Sequence, residues 1–216
     1  MRSALKVTTA ATSLQLLSDV ELRAAAGVSG TDQDDVLAAE GLRVAAAITM
    51  ACNVAVGAGG EPTLLQETLE ETFWSVRGDN LILSRRHNVE LLSITVDGSA
   101  LSIDDDVCLD PEAGIVSRLG GGLPTRWCAG KIVVTYKAGF QTAPGDLKMA
   151  AMDFMRLNWA DKDRDPSLKS EVIDIPDVRR VERQYWIGSV PGQDNTGPVP
   201  DIVAGQLARY RNSVIA

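Results

Sequence analysis

Residues Phe140–Ser170 read FQTAPGDLKMAAMDFMRLNWADKDRDPSLKS, and the rest of the chain is organised around this stretch. Pro144 suits the first turn of a helix, where its missing N–H costs nothing, and Asp146 places a negative charge at the positive end of the helix dipole. Apolar residues then recur at helical spacing on one face: Leu147, Ala150, Ala151, Phe154 and Leu157. The charged loop from Asp161 ends the predicted helix.

A second apolar set lies on a different face of the same predicted helix. A surface helix needs only one apolar stripe, so two stripes predict a helix that is contacted on several sides, inside a core or between subunits. We therefore predict subunit contacts by this second set together with an arginine of the following loop: Met149, Met152, Met155, Trp159 and Arg164.

The composition is that of an ordinary soluble globular chain with an acidic balance. The 216 residues are 45% hydrophobic and 23% charged, and the net charge is −8. This charge disfavours binding to nucleic acid and to anionic membranes, but it is compatible with a surface past which DNA slides without sticking. The longest apolar run, Val44–Cys52, is too short to span a bilayer, so no membrane segment is expected.

The three cysteines predict neither a disulfide framework nor a zinc site. Cys52, Cys108 and Cys128 are an odd number at wide spacing without a CxxC pair. Free cysteine is commonly buried, and we expect three reduced, mostly buried thiols.

Helices are predicted on both sides of a segment with strand chemistry. Ser18 and Glu21 form a capping box for a short helix that Gly27 ends, and a second, Ala-rich helix follows with Leu37, Gly41, Val44 and Ile48 on its buried face. Residues 63–76 fit a helix or a strand, and their threonines favour a strand.

Short apolar runs separated by turn residues, Asp97-Gly98 among them, continue to Tyr136. We predict an α+β fold: a small helical bundle with an inserted antiparallel β-sheet or barrel-like module, and an extended C-terminal tail ending in a helix. The expected segments are N-terminal helices over 1–60, the β module over 61–140, the central helix and loop over 141–170, and the tail with its helix over 171–216.

The tail has two interpretations. Residues 171–186 are expected to be extended, and Gly188–Pro200 is rich in turn formers and expected to be flexible. The helix that starts near Asp201 either docks on a partner or packs back on its own domain, and the sequence favours neither. The residues predicted for docking are Val203, Leu207, Tyr210, Arg211 and Val214.

No catalytic, cofactor-binding or metal-binding residues are predicted. His87 is the only histidine, and adjacent Arg85 and Arg86 oppose its protonation, so we interpret it as a surface polar residue. Asp104–Asp106 lack the spacing of a calcium loop and are expected to form a solvated hairpin end. A hydrolase that uses these carboxylates is an alternative for which the chain offers no base–nucleophile–orienter set. The glycine runs lack the Lys-Ser/Thr of a phosphate loop.

The order of segments along the chain carries a resemblance to a known family. The sharpest block is Ile132–Phe140 followed by Pro144–Ala151, a "VTYxAGF…PxDLKxAA" run, and then Arg164–Glu171. Supporting segments are Asp19–Arg23, Glu40–Cys52, Glu67–Phe73, Ile82–Val89, Asp97–Leu101, Leu109–Gly114 and Ile202–Arg211. In this order they resemble the head–tail connector (adaptor) proteins of long-tailed phages and gene transfer agents. His87-Asn88 stands where the family has proline.

The resemblance implies a structural, non-enzymatic role without a cofactor. Such adaptors form a ring, typically of twelve copies, between the portal protein and a tail-side stopper or terminator protein. The ring extends the channel through which DNA passes without specific binding. It implies a location in the neck of a virion or phage-like particle assembled in the bacterial cytoplasm, with the last helix docking on the portal. Another neck component, such as a stopper or tail-completion protein, is the alternative within the same class.

Overall fold

Two units make up the chain in a computed structural model, which describes residues 2–160, 162, 170–175, 179–184 and 197–212. The sheet unit contains the described residues of Met1–Leu14, Asn53–Pro144 and Asn212–Ala216. The helical unit contains Gln15–Cys52 and the described residues of Gly145–Arg211. The α+β prediction is confirmed.

The sheet unit is built from antiparallel strands in two sheets. In chain order these are β1 Arg2–Thr9, β2 Glu67–Gly78, β3 Asn80–Ile82, β4 Glu90–Val96, β5 Ser99–Ala100, β6 Val107–Asp110, β7 Ile115–Gly120, β8 Leu123–Thr125 and β9 Trp127–Ala138. The larger sheet has the order β1-β2-β9-β4-β5, and the smaller has β3-β7-β6 with β8 also paired to β7. Among the described strands the larger sheet ends at β1 and β5, so the antiparallel sheet is confirmed and closure into a barrel is not found.

Alternation along the strands defines the core of the sheet unit. On β2, Leu69 and Phe73 are buried while Glu70 and Thr72 between them are partly exposed. The strand interpretation of residues 63–76 is therefore confirmed from Glu67 onward, and residues 63–66 precede the strand. Trp127 is the largest buried side chain, and its indole N–H donates to the Val116 carbonyl at 3.2 Å. Buried side chains from both sheets thus meet in one apolar cluster.

Turn chemistry sets the register between neighbouring strands. Asp97 and Gly98 have φ of 49° and 89°, which fits the tight hairpin turn predicted between β4 and β5. The Gly120–Gly122 run forms the tight connection between β7 and β8, with Gly121 and Gly122 at positive φ.

β1 is a strand that the sequence interpretation did not identify. Residues Arg2–Thr9 pair antiparallel with β2, opposing Arg2 to Trp74 and Val7 to Leu69. Leu5 and Val7 pack against the core, whereas Ala4, Lys6 and Thr8 are exposed. This alternation was the available signal, and it was too short to separate from an irregular terminus.

The helical unit contains α1 Asp19–Ala26, α2 Asp34–Ala51, α3 Gly145–Ala160, a hairpin of β10 Ser170–Ile175 and β11 Arg179–Gln184, α4 Asp201–Gln206, and a 3₁₀ turn at Ala208–Tyr210. The predicted capping box of α1 is confirmed: the Glu21 N–H donates to the Ser18 hydroxyl, and Glu21 accepts from the Ser18 N–H. Gly27 ends the helix at φ 67°.

α1 and α2 approach each other closely at Gly41. A Cβ there would lie 2.6 Å from the Gln15 side-chain oxygen and 2.9 Å from a methyl carbon of Leu22, so a larger residue would require these side chains to shift. The predicted buried face of α2 is confirmed, with Leu37, Gly41, Val44 and Ile48 all buried. Close helix approach through small residues is therefore how this part of the bundle packs.

The expectation for the cysteines needs correction. All three cysteines are free, but only Cys52 is buried, because Cys108 and Cys128 lie on outward positions of β6 and β9. In the C-terminal tail, the extended strands β10 and β11 pair antiparallel. Of the predicted flexible segment Gly188–Pro200, residues 188–196 lie outside the described residues.

Candidate interaction surfaces

α3 buries one stripe of side chains at i, i+3, i+4, i+7 and i+8. These residues are Leu147, Ala150, Ala151, Phe154 and Met155. The sequence pattern placed Leu157 on the buried stripe and Met155 on the contact face. The structure shows the reverse, because Met155 is fully buried and Leu157 is exposed. Residue 155 continues the 147–151 row of the helix, and this row faces the interior.

Three of the five residues predicted to make subunit contacts are at least partly exposed on α3. Met149 is 58% exposed, and Met152 and Trp159 are half-buried. Asp153 and Arg156 form an ion pair of 3.2 Å on this face. Met155 cannot contact a neighbour because it is buried in its own unit, and Arg164 lies outside the described residues.

The last helix packs into its own unit. Val203, Leu207 and Tyr210 are buried, so these side chains are not presented to a partner. The alternative interpretation of the sequence, in which this helix packs back on its own domain, describes these three side chains. The exposed residues of this segment include Ile202 and Arg211, and Val214 lies outside the described residues.

Asp146 ties this segment to the first turn of α3. The Tyr210 hydroxyl donates to the Asp146 carboxylate, and the Arg209 guanidinium lies 3.0 Å from it. The hydrogen bond from Tyr210 lowers the pKa of Asp146, and burial raises the pKa of Tyr210 well above its usual range. The sequence pattern accounts for Asp146 only by its favourable interaction with the helix dipole. In the structure, the same carboxylate also binds Arg209 and Tyr210 of the last segment.

Arg85 and Glu67 form a buried ion pair in the sheet unit. Their charged atoms are 2.9 Å apart, and the guanidinium also donates to the carbonyls of Ala55 at 3.2 Å and Thr63 at 2.6 Å. Burial lowers the pKa of Arg85, and the charge of Glu67 opposes this. The guanidinium thus joins the segments that carry Ala55, Thr63 and Glu67 around one charge.

Glu71 forms a second buried site on the same face of β2. Its carboxylate accepts from the Ser84 hydroxyl at 2.5 Å, from the Ser84 N–H at 3.0 Å and from the Tyr136 hydroxyl at 3.0 Å. Burial nevertheless raises the pKa of Glu71, and burial likewise raises the pKa of Tyr136.

His87 is buried, which corrects its interpretation as a surface residue. It is 7% exposed, its ring stacks on Phe140 at a centroid distance of 5.4 Å, and Nδ1 lies 3.4 Å from a Glu112 carboxylate oxygen. His87 and Asn88 have φ of 70° and 50°, which proline cannot adopt, so this turn differs from the one the family resemblance implied.

The polar residues around Arg85 and His87 enclose only a small cavity. The cavity that they share with Gly139 and Asn212 has a volume of about 10 Å³, room for a single water molecule. Asn212 accepts from the Arg86 guanidinium at 2.8 Å and donates to the Asn53 carbonyl at 3.1 Å. These two hydrogen bonds of Asn212 therefore link the segments that carry Asn53 and Arg86.

The sequence contained a signal for these buried charges that was not used. Glu67 and Glu71 alternate with Leu69 and Phe73, so they lie on the core face of the strand. Their partners could not be inferred, because Arg85 and Tyr136 are 18 and 65 residues away.

Asp105 and Asp106 stabilise a turn. Asp106 accepts from the Ser102 N–H at 2.9 Å, and Asp105 accepts from the Ser102 hydroxyl at 3.0 Å. Within the described ranges, no group of three metal-ligating side chains is found. Nor does any helix in that part of the chain have the length and apolarity needed to cross a membrane.

No protein-family model matches the sequence, and no curated protein matches it. Solved structures do match. One is a chain of "Neck of empty GTA particle computed with C6 symmetry", with a TM-score of 0.56 and 16% identity over 98% of this chain and 97% of that chain. Another belongs to "Virion of native gene transfer agent (GTA) particle", with a TM-score of 0.51 and 18% identity over 80% of this chain and 89% of that chain. The fold over essentially the whole chain is therefore that of a gene transfer agent neck chain, in agreement with the connector resemblance.

Proposed function

We propose that this chain is a structural protein of the neck of a gene transfer agent or phage-like particle. The observation that carries the proposal is the agreement in fold with a neck chain over 98% of the length. The connector-like order of sequence segments, found independently of the fold, supports the same role.

We further propose that the chain is the head–tail adaptor, a ring between the portal and the tail-side proteins. The six-fold symmetry applied to the matching neck supports a ring with six copies or a multiple, such as the twelve that the resemblance implies. In a ring each copy contacts two neighbours through two different surfaces. Exposed Met149, with half-buried Met152 and Trp159, supplies an apolar patch for one of them.

The acidic balance suits a channel for DNA. With a net charge of −8, the chain as a whole repels phosphates, so DNA passes without being held. Docking of the last segment on the portal rests on its outward residues, Ile202 and Arg211, while Val203, Leu207 and Tyr210 hold the segment in place. The role is non-enzymatic.

Electron microscopy of particles that carry a tagged copy of this chain tests the proposal. We expect a ring of density between the portal and the first tail-side protein. Tag density elsewhere in the particle would contradict it. Binding assays with the purified portal and the purified tail terminator then separate the adaptor, which binds the portal, from a stopper or tail-completion protein, which binds only the tail side.

A further inference from the structure

Part of the outer edge of β1 is unpaired. The inner edge of this strand pairs with β2. On the outer edge, the Val7 N–H donates to the Ala58 carbonyl at 3.0 Å, and the Ala58 N–H donates to the Leu5 carbonyl at 2.9 Å. Because the backbone groups of a strand alternate in direction, Ser3 points its N–H and carbonyl to the same edge as Leu5 and Val7. Among the described residues, no backbone group pairs with Ser3 on that edge.

The unpaired part of this edge borders a cleft in the sheet unit. The cleft has a volume of about 720 Å³ and is lined, among the described residues, by Arg2, Ser3, Ala4, Trp74 and Ser75. Ser75 has a φ of 52°, so β2 leaves regular strand geometry beside the start of β1. Unpaired edge groups next to an open cleft are the arrangement that accepts an added strand.

The hairpin of β10 and β11 is a pair of strands that lacks a third. The two strands pair with each other from Ser170 opposite Gln184, and they join no other described strand. On one face of the hairpin, Val172, Arg180 and Glu182 are exposed. A two-stranded hairpin is marginally stable in water, and a further strand stabilises it. The chain therefore contains both an open sheet edge and a hairpin that an added strand would stabilise.

Charge favours β10 over β11 as the strand that the edge accepts. β1 contains Arg2 and Lys6 without an acidic residue, whereas β10 contains Glu171 and Asp174 without a basic one. β11 carries three arginines against one glutamate. Glu70 lies opposite Lys6 in the sheet, so the attraction is centred on Arg2, at the open part of the edge. β1 thus attracts β10 and repels β11.

We infer that β10 of one copy adds to the open edge of β1 in a neighbouring copy, so that the hairpin extends the five-stranded sheet of its neighbour. The inference rests on the proposed ring and names one contact within it. Each copy has one open edge and one hairpin, so the exchange is a heterologous contact that runs in one direction around the ring. Residues 163–169 precede the hairpin and can span up to about 25 Å when extended, a length that allows it to leave its own copy.

Disulfide cross-linking in assembled particles tests the inference. Val172→Cys is combined either with Ala4→Cys or with Ser3→Cys, because adjacent residues of β1 lie on opposite faces of the sheet. The background carries Cys108→Ser and Cys128→Ser, which remove the two exposed thiols. After oxidation of purified particles, we expect a ladder of covalently linked copies with one of the two β1 positions.

The same gel distinguishes exchange between copies from the alternatives. Val172→Cys/Leu123→Cys, which uses an exposed residue of β8, is the control and is expected to give no ladder. Cross-links only within single chains mean that the hairpin pairs with its own β1, and particles without cross-links mean that it pairs elsewhere. Both results overturn the inference and leave the proposed function standing. Wild-type particles without this chain in the neck reject the proposed function and the exchange with it.

Ser3→Pro tests the backbone part of the contact without a cross-link. Proline removes the outward N–H of an edge strand, and the matched control Ser3→Ala keeps it. Both variants lose the Ser3 hydroxyl, which hydrogen-bonds to Glu71. In particles made with equal amounts of wild-type and variant chain, we expect Ser3→Pro to be incorporated about fivefold less than Ser3→Ala, which corresponds to one hydrogen bond. Equal incorporation of the two folded variants overturns the inference.

Discussion

The guanidinium of Arg85 lies 2.9 Å from the carboxylate of Glu67, with the two side chains only 3% and 1% exposed. Removing one partner of such a pair leaves the other charge buried without compensation, which is far more costly than removing both. The pair therefore fixes the loop that carries Arg85 against β2 and makes the sheet unit sensitive to single substitutions there.

Arg85→Met is predicted to lower the free energy of unfolding by about 3–5 kcal/mol, because Glu67 is then buried as an isolated charge. Urea denaturation measures the change. The double variant Arg85→Met/Glu67→Leu is expected to lose less than Arg85→Met alone. A double variant that is less stable than either single variant would contradict this account.

Glu71 is predicted to make the protein less stable as the pH rises. Burial raises its pKa above the ordinary 4.5, so the folded state holds a proton that the unfolded chain has released. The stability from this proton is complete below the unfolded value and is lost as the pH rises through the folded one. Glu71→Gln removes the titration, and its amide can accept from the Ser84 N–H and donate to the Ser84 hydroxyl.

Urea denaturation of both proteins at a series of pH values from about 4 to 8 follows this effect. The decline with rising pH is expected to be smaller in Glu71→Gln than in the wild type. Parallel pH profiles would show that Glu71 does not titrate as proposed.

Tyr210→Phe is predicted to lower the free energy of unfolding by about 1 kcal/mol at neutral pH, since Asp146 loses one hydrogen-bond donor. The Tyr210 hydroxyl depresses the pKa of Asp146 below its ordinary 3.8, so this stability is present above that value and is lost as the pH falls through the folded pKa. The difference between wild type and variant is thus expected to shrink in acid. A constant difference would indicate lost packing instead.

Gly139→Ala is predicted to destabilise the sheet unit by about 3 kcal/mol or more. Gly139 has a φ of 102°, and a Cβ there would lie 2.5 Å from the Leu65 carbonyl oxygen. Gly98→Ala is the matched control, because Gly98 also has positive φ but no atom within 4 Å of the added carbon. Equal losses of thermal stability in the two variants would mean that the clash at Gly139 is relieved by local movement.

Met149→Asp is predicted to weaken assembly while changing the free energy of unfolding by no more than about 0.5 kcal/mol, because the side chain is largely exposed. Incorporation into particles and sedimentation of the isolated protein report on assembly. Leu123→Asp is the control, an equally polar change at an exposed residue of β8. Normal incorporation of Met149→Asp would remove the α3 face from the proposed subunit contact.

The sequence predicted those helix and turn boundaries that depend on residues only a few positions apart. Ser18 with Glu21, Asp97 with Gly98, and Pro144 with Asp146 each set a boundary within a few residues of themselves, and all three are confirmed. The strand β1 was missed because only its pairing with β2 distinguishes it from an irregular terminus.

The candidate sites were harder to predict because their partners are distant. The spacing of α3 identified its apolar residues but could not separate buried Met155 from exposed Met149, which depends on what packs against each. The periodicity of the last helix likewise identified Val203 and Leu207 as contact residues without saying whose surface they contact.

The carboxylate of Asp146 connects the segment that carries Arg209 and Tyr210 to the central helix α3. Arg209 and Tyr210 both hold this carboxylate, and it belongs to the first turn of α3. A partner that pulled this segment away would break both of these contacts of the Asp146 carboxylate, while the ion pair between Lys148 and Glu21 would still hold the first turn of α3. A load on the segment is thus transmitted to the start of the central helix through the Asp146 carboxylate.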